Sequence, residues 1–244
     1  MKLLVDIGNT AIKFGSLNGD SFSYLGRCYN NELSKETISN IVKDIDKVEK
    51  VIVSSVAPKV RRELECIFIR DFKKETFIVN NQIDSGIKIA IDNKDELGVD
   101  LLCDLVGAIN EYGSKLAIVD FGTATKILFV DENKTFSSCA IFLGYNDSKK
   151  ILANSAELLP EVKDFNLKPI SECHNTIDVI NSSAFYSQLY SVNGIISQYE
   201  KEVGYKLKVI LTGGNATYFL KEFNKEIYDE SLLLKGLAIL SKRY

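Results

Sequence analysis

The sequence predicts an α/β fold made of two duplicated lobes, with mixed sheets flanked by helices. Three observations carry that prediction. A short apolar run ending in an acidic, glycine-containing turn occurs twice, as L-L-V-D-I-G-N-T over Leu3–Thr10 and as A-I-V-D-F-G-T-A-T over Ala117–Thr125. Each copy leads into a second and then a third strand pattern. Strand and helix patterns then alternate, which is the mark of α/β organisation. No other repeat, low-complexity tract or Pro- or Gly-rich linker is present, so the duplication itself draws the boundary, giving lobes 1–114 and 115–244.

The elements follow in order. Leu3–Asp6 is a buried strand, and Ala11–Leu17 alternates up to Asn18-Gly19, a strong hairpin signal, before a strand at Ser21–Leu25. Asp6–Thr10 is therefore a hairpin tip rather than a strand-to-helix loop, and the G-x-x-x-x-G-K-[ST] pattern is absent. Leu33–Val48 reads as a loose helix with Ile38, Ile41, Val42 and Ile45 on one face. Val51–Val56 is a buried strand stopped by Pro58, Val60–Phe72 a helix, and Thr76–Val79 and Ile87–Ile91 short strands. Asp95–Tyr112 is expected to be one helix, with Leu97, Leu101, Leu105 and Ile109 in a stripe and Gly113 as its stop. Asp100 and Asp104 share another face.

In the second lobe, strands at Ala117–Asp120, Lys126–Val130 and Thr135–Phe142 repeat the plan. Ile151–Leu159 reads as a helix ending at Pro160. Asn175 caps a long helix with Asp178 at the box position, and its seam Phe185, Leu189, Val192, Ile196, Tyr199, Val203 runs to Gly204. A seam of this length packs either on its own lobe or on a second subunit. Lys208–Leu211 is a strand entering Thr212-Gly213-Gly214-Asn215-Ala216, followed by helical Ala216–Phe223 and Leu232–Leu240.

Composition bounds the function. The 244 residues are 45% hydrophobic and 26% charged, enough for a substantial core, and the net charge of −3 gives no global bias toward nucleic acid. An acid follows M-K-L-L-V at once, so no apolar signal segment is expected, and no run reaches the roughly 18 apolar residues of a membrane span. Five scattered cysteines without C-x-x-C read as reduced thiols of a cytoplasmic protein, and the single His174 makes a zinc site improbable.

The turns have a definite chemistry. An aspartate beside a polyphosphate repels it unless a hydrated Mg²⁺ sits between them, and Mg²⁺ characteristically keeps waters and takes one or two carboxylates. Asp6 is the candidate ligand. Gly8 lets backbone approach phosphate, Asn9 and Thr10 carry donors, and Lys13 adds positive charge. The second turn supplies Asp120, Gly122, Thr123 and Thr125, so the two turns together are expected to clamp a nucleotide's phosphates, with Gly213 and Gly214 beneath the nucleoside. Asp100 reads in two ways: a solvated acid favoured by the helix macrodipole, or a general base for a substrate hydroxyl.

Taken together and in order, D-I-G-N-T-x-x-K (Asp6–Lys13), S-S-V-A-P (Ser54–Pro58), L-G-V-D (Leu97–Asp100), D-F-G-T-A-T (Asp120–Thr125), L-L-P (Leu158–Pro160), N-T (Asn175-Thr176) and T-G-G-N-A (Thr212–Ala216) resemble type III pantothenate kinase over nearly the whole chain. The resemblance implies an actin-like (ribonuclease H-like) ATPase/sugar-kinase fold and ATP-dependent phosphorylation of pantothenate, the first step of coenzyme A synthesis. It implies a homodimer, Mg²⁺ and a monovalent cation, K⁺ or NH₄⁺; composition adds the expectation of no nucleic acid or membrane partner. Carried over by position, Asp6–Lys13 would bind ATP phosphates and metal, and Asp100 would be the proton acceptor. Asp120 would hold the monovalent cation, and Thr123 would touch ATP. Gly98, Val99, Asp100, Leu101, Ile91 and Thr176 would line the acceptor site.

Several positions depart from the family pattern. An arginine usually follows the L-G-V-D aspartate, where this chain has Leu101, and an aromatic residue usually stands at Ile91. The G-G-x-I-x-P-G turn becomes Ser138–Gly144, and the helix glycines after N-T are Ser183 and Ser187. A second reading therefore stands beside the first: a nucleotide-binding member that acts as a regulatory or partner protein without turnover. A third is a kinase or phosphatase of the same fold with another acceptor.

Overall fold

The computed structural model describes residues 1–223 and 226–243. The chain forms two compact units. The first comprises Met1–Ser114, Asp131–Ser137 and Ser231–Tyr244, and the second Lys115–Val130 and Ser138–Glu230.

In the first unit, β1 (Lys2–Ile7) lies at the centre of the sheet with Leu3–Val5 and Ile7 fully buried, as expected of a strand covered on both faces. It pairs antiparallel with β2 (Ala11–Asn18), which pairs with β3 (Ser21–Tyr29) across the Asn18-Gly19 turn. The β2–β3 register shifts at Phe14/Gly15, a bulge where Gly15 meets the Phe22 ring. After α1 (Lys35–Ile41) come β4 (Lys50–Ser55), α2 (Pro58–Ile67), β5 (Thr76–Ile78), the two-residue β6 (Lys88–Ile89) and α3 (Val99–Tyr112). The sheet order is β3-β2-β1-β4-β5, with β1, β4 and β5 parallel.

The second unit begins with β7 (Leu116–Phe121), β8 (Ala124–Val130) and β9 (Thr135–Leu143), whose first residues pair with β6. It continues through α4 (Tyr145–Ser155), α5 (Thr176–Val203), β10 (Lys208–Thr212) and β11 (Ile227–Tyr228). The second sheet has the order β6-β9-β8-β7-β10-β11, and its last five strands repeat the order of the first sheet. The duplication inferred from two turns is thus a duplication of topology: an antiparallel three-strand meander followed by two parallel strands.

The chain returns to the first unit with α6 (Leu232–Leu240), which crosses α3 where two glycines meet. A Cβ on Gly107 would lie 2.5 Å from Leu232 O, and one on Gly236 would lie 2.7 Å from the Cys103 carbonyl carbon and 3.0 Å from Gly107 N. Backbone cannot swing aside as a side chain can. Gly236→Ala is therefore expected to destabilise by about 1–3 kcal/mol or more, as overpacking does; a thermal melt with an unchanged midpoint would contradict the close crossing.

Several expected elements are shorter or displaced. Leu33–Val48 is helical only over α1 and a 3₁₀ turn at Ile45–Lys47, because Val42 leaves helical dihedrals to bury its side chain. The stretch after Ile67 is a π turn, Phe68–Phe72, closed by Lys73 at φ 56°. Asp95–Tyr112 is not one helix: a 3₁₀ turn at Lys94–Glu96 is separated from α3 by extended Leu97 and Gly98. Ile91 lies beyond the end of β6. The helix expected at Ile151–Leu159 is α4, starting at Tyr145 after its cap Gly144 and ending at Ser155, and Leu158 stands 95% exposed outside it. Of Ala216–Phe223 only Ala216–Tyr218 forms a 3₁₀ turn.

The cap of α5 forms as expected, with Asn175 Oδ1 accepting from Asp178 N at 2.9 Å and Gly204 closing the helix at φ 78°. Its seam packs on its own unit: Phe185, Leu189, Val192 and Ile196 are buried in that core, and Tyr199 stacks on Phe129 at 4.0 Å. The seam therefore carries no argument for a second subunit. Among the described residues no helix is long and apolar enough to cross a membrane.

Candidate active site

The first turn is held by an asparagine. Gly8 N donates to Ala11 O at 3.0 Å, and Asn30 N to Thr10 O at 3.0 Å. Asn30 Nδ2 donates to Gly8 O at 3.0 Å and to Asn9 O at 2.9 Å. These bonds occupy carbonyl oxygens that would oppose an anion, so the tip with its exposed Asn9 and Thr10 is suited to phosphate. Asp6 is buried at the end of β1 and faces Lys13 in register. One carboxylate with hydroxyl and amide neighbours fits Mg²⁺, which takes few protein ligands beside phosphates and water. Among the described residues no cluster of three or more His, Cys, Asp or Glu forms a closed metal cage.

The second turn repeats this construction with different residues. Asn215 Nδ2 donates to Gly122 O at 3.0 Å, Asn215 N donates to Phe121 O at 2.8 Å, and Asn146 Nδ2 supports Asn215 Oδ1 at 3.1 Å. Gly144 N donates to Thr123 O at 2.9 Å, and a Cβ at residue 144 would lie 2.5 Å from that same oxygen. Below, Thr125 Oγ1 donates to Gln188 Oε1 at 2.7 Å, and Gln188 Nε2 donates to Leu143 O. Phe121 stacks on Phe219 at 4.5 Å, fixing the strand end that carries Asp120. Gly213, at φ 94°, lies against Asp120 and Phe121, while Gly214 is exposed. Asp120, Gly122, Thr123 and Gly213 are thus brought together, whereas Thr176 opens α5 on an exposed surface.

Lys126 was not foreseen as a residue of this site from the sequence. Lys126 pairs in register with Asp120 as Lys13 does with Asp6, and its Nζ lies 3.1 Å from Asp120 Oδ2. The second turn is one residue shorter than the first, so alignment by spacing alone hides the equivalence. Both side chains of the pair are less than one-fifth exposed. A monovalent cation on Asp120 does not fit this donor set. Two unit charges about 4 Å apart repel by roughly 4 kcal/mol at an effective dielectric of about 20.

Of the residues expected at the acceptor site, Ile91, Gly98, Val99, Asp100 and Leu101 lie in the first unit and Thr176 in the second. Asn81 Nδ2 donates to Asp95 O at 3.1 Å and Leu97 O at 3.2 Å, pinning the approach to Gly98, Val99 and Asp100. Gly98 is the N-cap of α3, and a Cβ there would collide with Asp100 Oδ1, so the carboxylate folds back over that glycine. Asp6 and Asp100 both act on the buried Cys103 thiol, which burial and then these and the Asp104 carboxylate push well above the usual thiol range. Leu101 is buried in α3 and offers the acceptor nothing polar.

A cavity of about 320 Å³ opens beside Gly98 and Val99, at the ends of β4 and β5, where Ser55, Asn80 and Asn81 contribute polar groups. Arg61, in the first turn and a half of α2, is the one basic residue of its lining. Its Nε is buried, makes no hydrogen bond among the described residues, and forms an ion pair with the Glu65 carboxylate one turn on at 3.7 Å. The acidic lining residues Asp95 and Glu96 are exposed at the rim.

Comparison with known proteins agrees with this architecture. The family model described as type III pantothenate kinase matches residues 2–198. The chain is 31% identical to the type III pantothenate kinase of Brevibacillus brevis over 254 aligned residues, covering 100% of this chain and 99% of that protein. It is 32% identical to that of an Exiguobacterium species with the same coverage. Among solved structures, a conserved putative Baf family transcriptional activator from Campylobacter jejuni aligns with a TM-score of 0.61 at 18% identity, over 99% of this chain and 98% of that one. A putative 2-dehydro-3-deoxygalactonokinase from Sinorhizobium meliloti aligns with a TM-score of 0.56 at 10% identity, over 100% and 99%. These likenesses identify an actin-like ATPase/sugar-kinase fold.

Proposed function

Because the chain belongs to the type III pantothenate kinase family, we propose that it transfers the γ-phosphate of ATP to the primary hydroxyl of pantothenate, giving 4′-phosphopantothenate and ADP. The observation that carries this reading is the pair of equivalent turns, each with an aspartate at a strand end and carbonyls tied back by an asparagine. Asp6, Asn9, Thr10 and Lys13 hold phosphate oxygens and Mg²⁺ on the first turn, and Thr123 meets ATP on the second. Bound Mg²⁺ supplies charge neutralisation for the transferring phosphoryl group. Asp100 accepts the hydroxyl proton as the oxygen–phosphorus bond forms and the bond to the β-phosphate oxygen breaks. A homodimer belongs to the same reading, and exposed Ile177, Val179 and Tyr190 on α5 offer apolar surface for it.

Arg61 supplies what Leu101 lacks. Pantothenate carries a carboxylate at the end opposite its reacting hydroxyl, and Arg61, the basic residue lining the cavity with a side chain one-third exposed, is a fitting partner. A charge-assisted hydrogen bond is worth about 1.5–3 kcal/mol. Arg61→Gln should therefore raise KM for pantothenate by about 10- to 100-fold with KM for ATP unchanged. Coupled ADP release with ATP and Mg²⁺ tests the whole reading: turnover that depends on pantothenate supports it, and a protein that binds ATP without such turnover favours the non-catalytic alternative.

A further inference from the structure

We infer that Lys126 is a built-in monovalent cation of the second turn, so that catalysis runs without K⁺ or NH₄⁺. The inference rests on the kinase reading above, and four observations carry it. Lys126 Nζ stands 3.1 Å from Asp120 Oδ2. The pair is largely buried, with 18% and 16% of the side chains exposed, so the contact belongs to the turn and not to the solvent face. It occupies the register position that Lys13 holds opposite Asp6 in the first unit, so each turn carries one aspartate and one facing lysine. The surrounding scaffold is closely packed: Gly213 closes on Asp120, and Phe121 is stacked on Phe219.

The chemistry follows from charge. An aspartate near a polyphosphate needs a positive partner, and an alkylammonium resembles NH₄⁺ and K⁺ in size and charge. A tethered ammonium supplies that charge without drawing an ion from solution and already occupies one oxygen of the Asp120 carboxylate. Lys126 is accordingly a positioning residue: it neutralises Asp120 and keeps the second turn receptive to nucleotide.

The test compares protein in K⁺ with protein in N-methyl-D-glucamine at equal ionic strength, by pantothenate-dependent ADP release and by the melting shift that Mg-ATP produces. Wild type is expected to differ less than twofold between the two buffers in both readouts. Lys126→Thr should lose at least tenfold in turnover without K⁺ and recover with K⁺ or NH₄⁺, while Lys126→Arg stays insensitive. A wild-type requirement for K⁺ of tenfold or more, or a Lys126→Thr protein that ignores K⁺ in both readouts, overturns the inference. Absence of turnover in every buffer overturns the kinase reading alone, and the Mg-ATP melting shift then decides the role of Lys126.

Discussion

Asp100→Asn is expected to lower kcat by about 10²- to 10⁴-fold, the usual contribution of a positioned general base, while the fold and the affinity for ATP persist. The substitution keeps the shape of the side chain and removes its capacity to take a proton. Asp100 lies in the first turn of α3, folded back over Gly98. Its interaction with the helix macrodipole is worth only about 0.3–1 kcal/mol, so the melt should move little. The nucleotide residues of the first turn sit on a different element, β1 to β2, and are untouched. Steady-state ADP release and a Mg-ATP titration on one preparation separate the effects. A loss below tenfold in kcat would reduce Asp100 to a favourable helix-terminal charge.

Gly213→Ala has the second large effect. At φ 94° the backbone strains any side chain, and a Cβ there lies 2.6 Å from Phe121 N and 2.7 Å from Phe121 C, besides striking Asp120 Oδ1. Thr212 pairs with Asp120, and Asn215 bonds Phe121 O and Gly122 O, so the segment cannot slide away without opening the turn. Overpacking costs about 1–3 kcal/mol and left-handed backbone a further 1–2 kcal/mol. At roughly 2–4 °C per kcal/mol for a chain of this size, Tm should fall by about 5–15 °C, with ATP affinity reduced at least tenfold. Gly194→Ala provides the contrast. Gly194 is exposed within α5 with nothing near its Cβ position, and alanine there should raise stability by up to about 1 kcal/mol. Equal melts for the two variants would contradict the packing described at Gly213.

Much of the fold was legible because local signals and tertiary packing agree. The apolar runs at Leu3–Val5 and Ala117–Val119 are central strands buried on both faces, and Asn18-Gly19 is the hairpin turn its sequence advertises. The cap at Asn175 and the stop at Gly204 define α5 to the residue. The periodicity of Asp95–Tyr112 misled because Leu97 is buried from an extended segment, where its spacing imitates a helical stripe. Apolar spacing reports burial and does not distinguish a helix from a loop folded onto the core. Helix α4 began before its expected start because Gly144 packs on the carbonyls of the second turn, a constraint set across the unit.

The site was legible in part for the same reason. Turn residues announce themselves by local pattern, so Asp6–Lys13 and Asp120–Thr125 were visible. Lys126 was hidden by a one-residue difference in loop length that only strand register reveals. Arg61 was hidden because its place beside Gly98 depends on α2 and the ends of β4 and β5 meeting at one cavity. Asn30 and Asn215 perform one task from unrelated sequence contexts, which no repeat search would align.

The most direct measurement is ³¹P NMR of purified protein incubated with ATP, Mg²⁺ and pantothenate. The account predicts a new phosphomonoester resonance coupled to a methylene group, growing in step with ADP and growing at least about 10²-fold more slowly with Asp100→Asn. A spectrum in which ATP persists, or yields only inorganic phosphate, while the protein still binds ATP would contradict it.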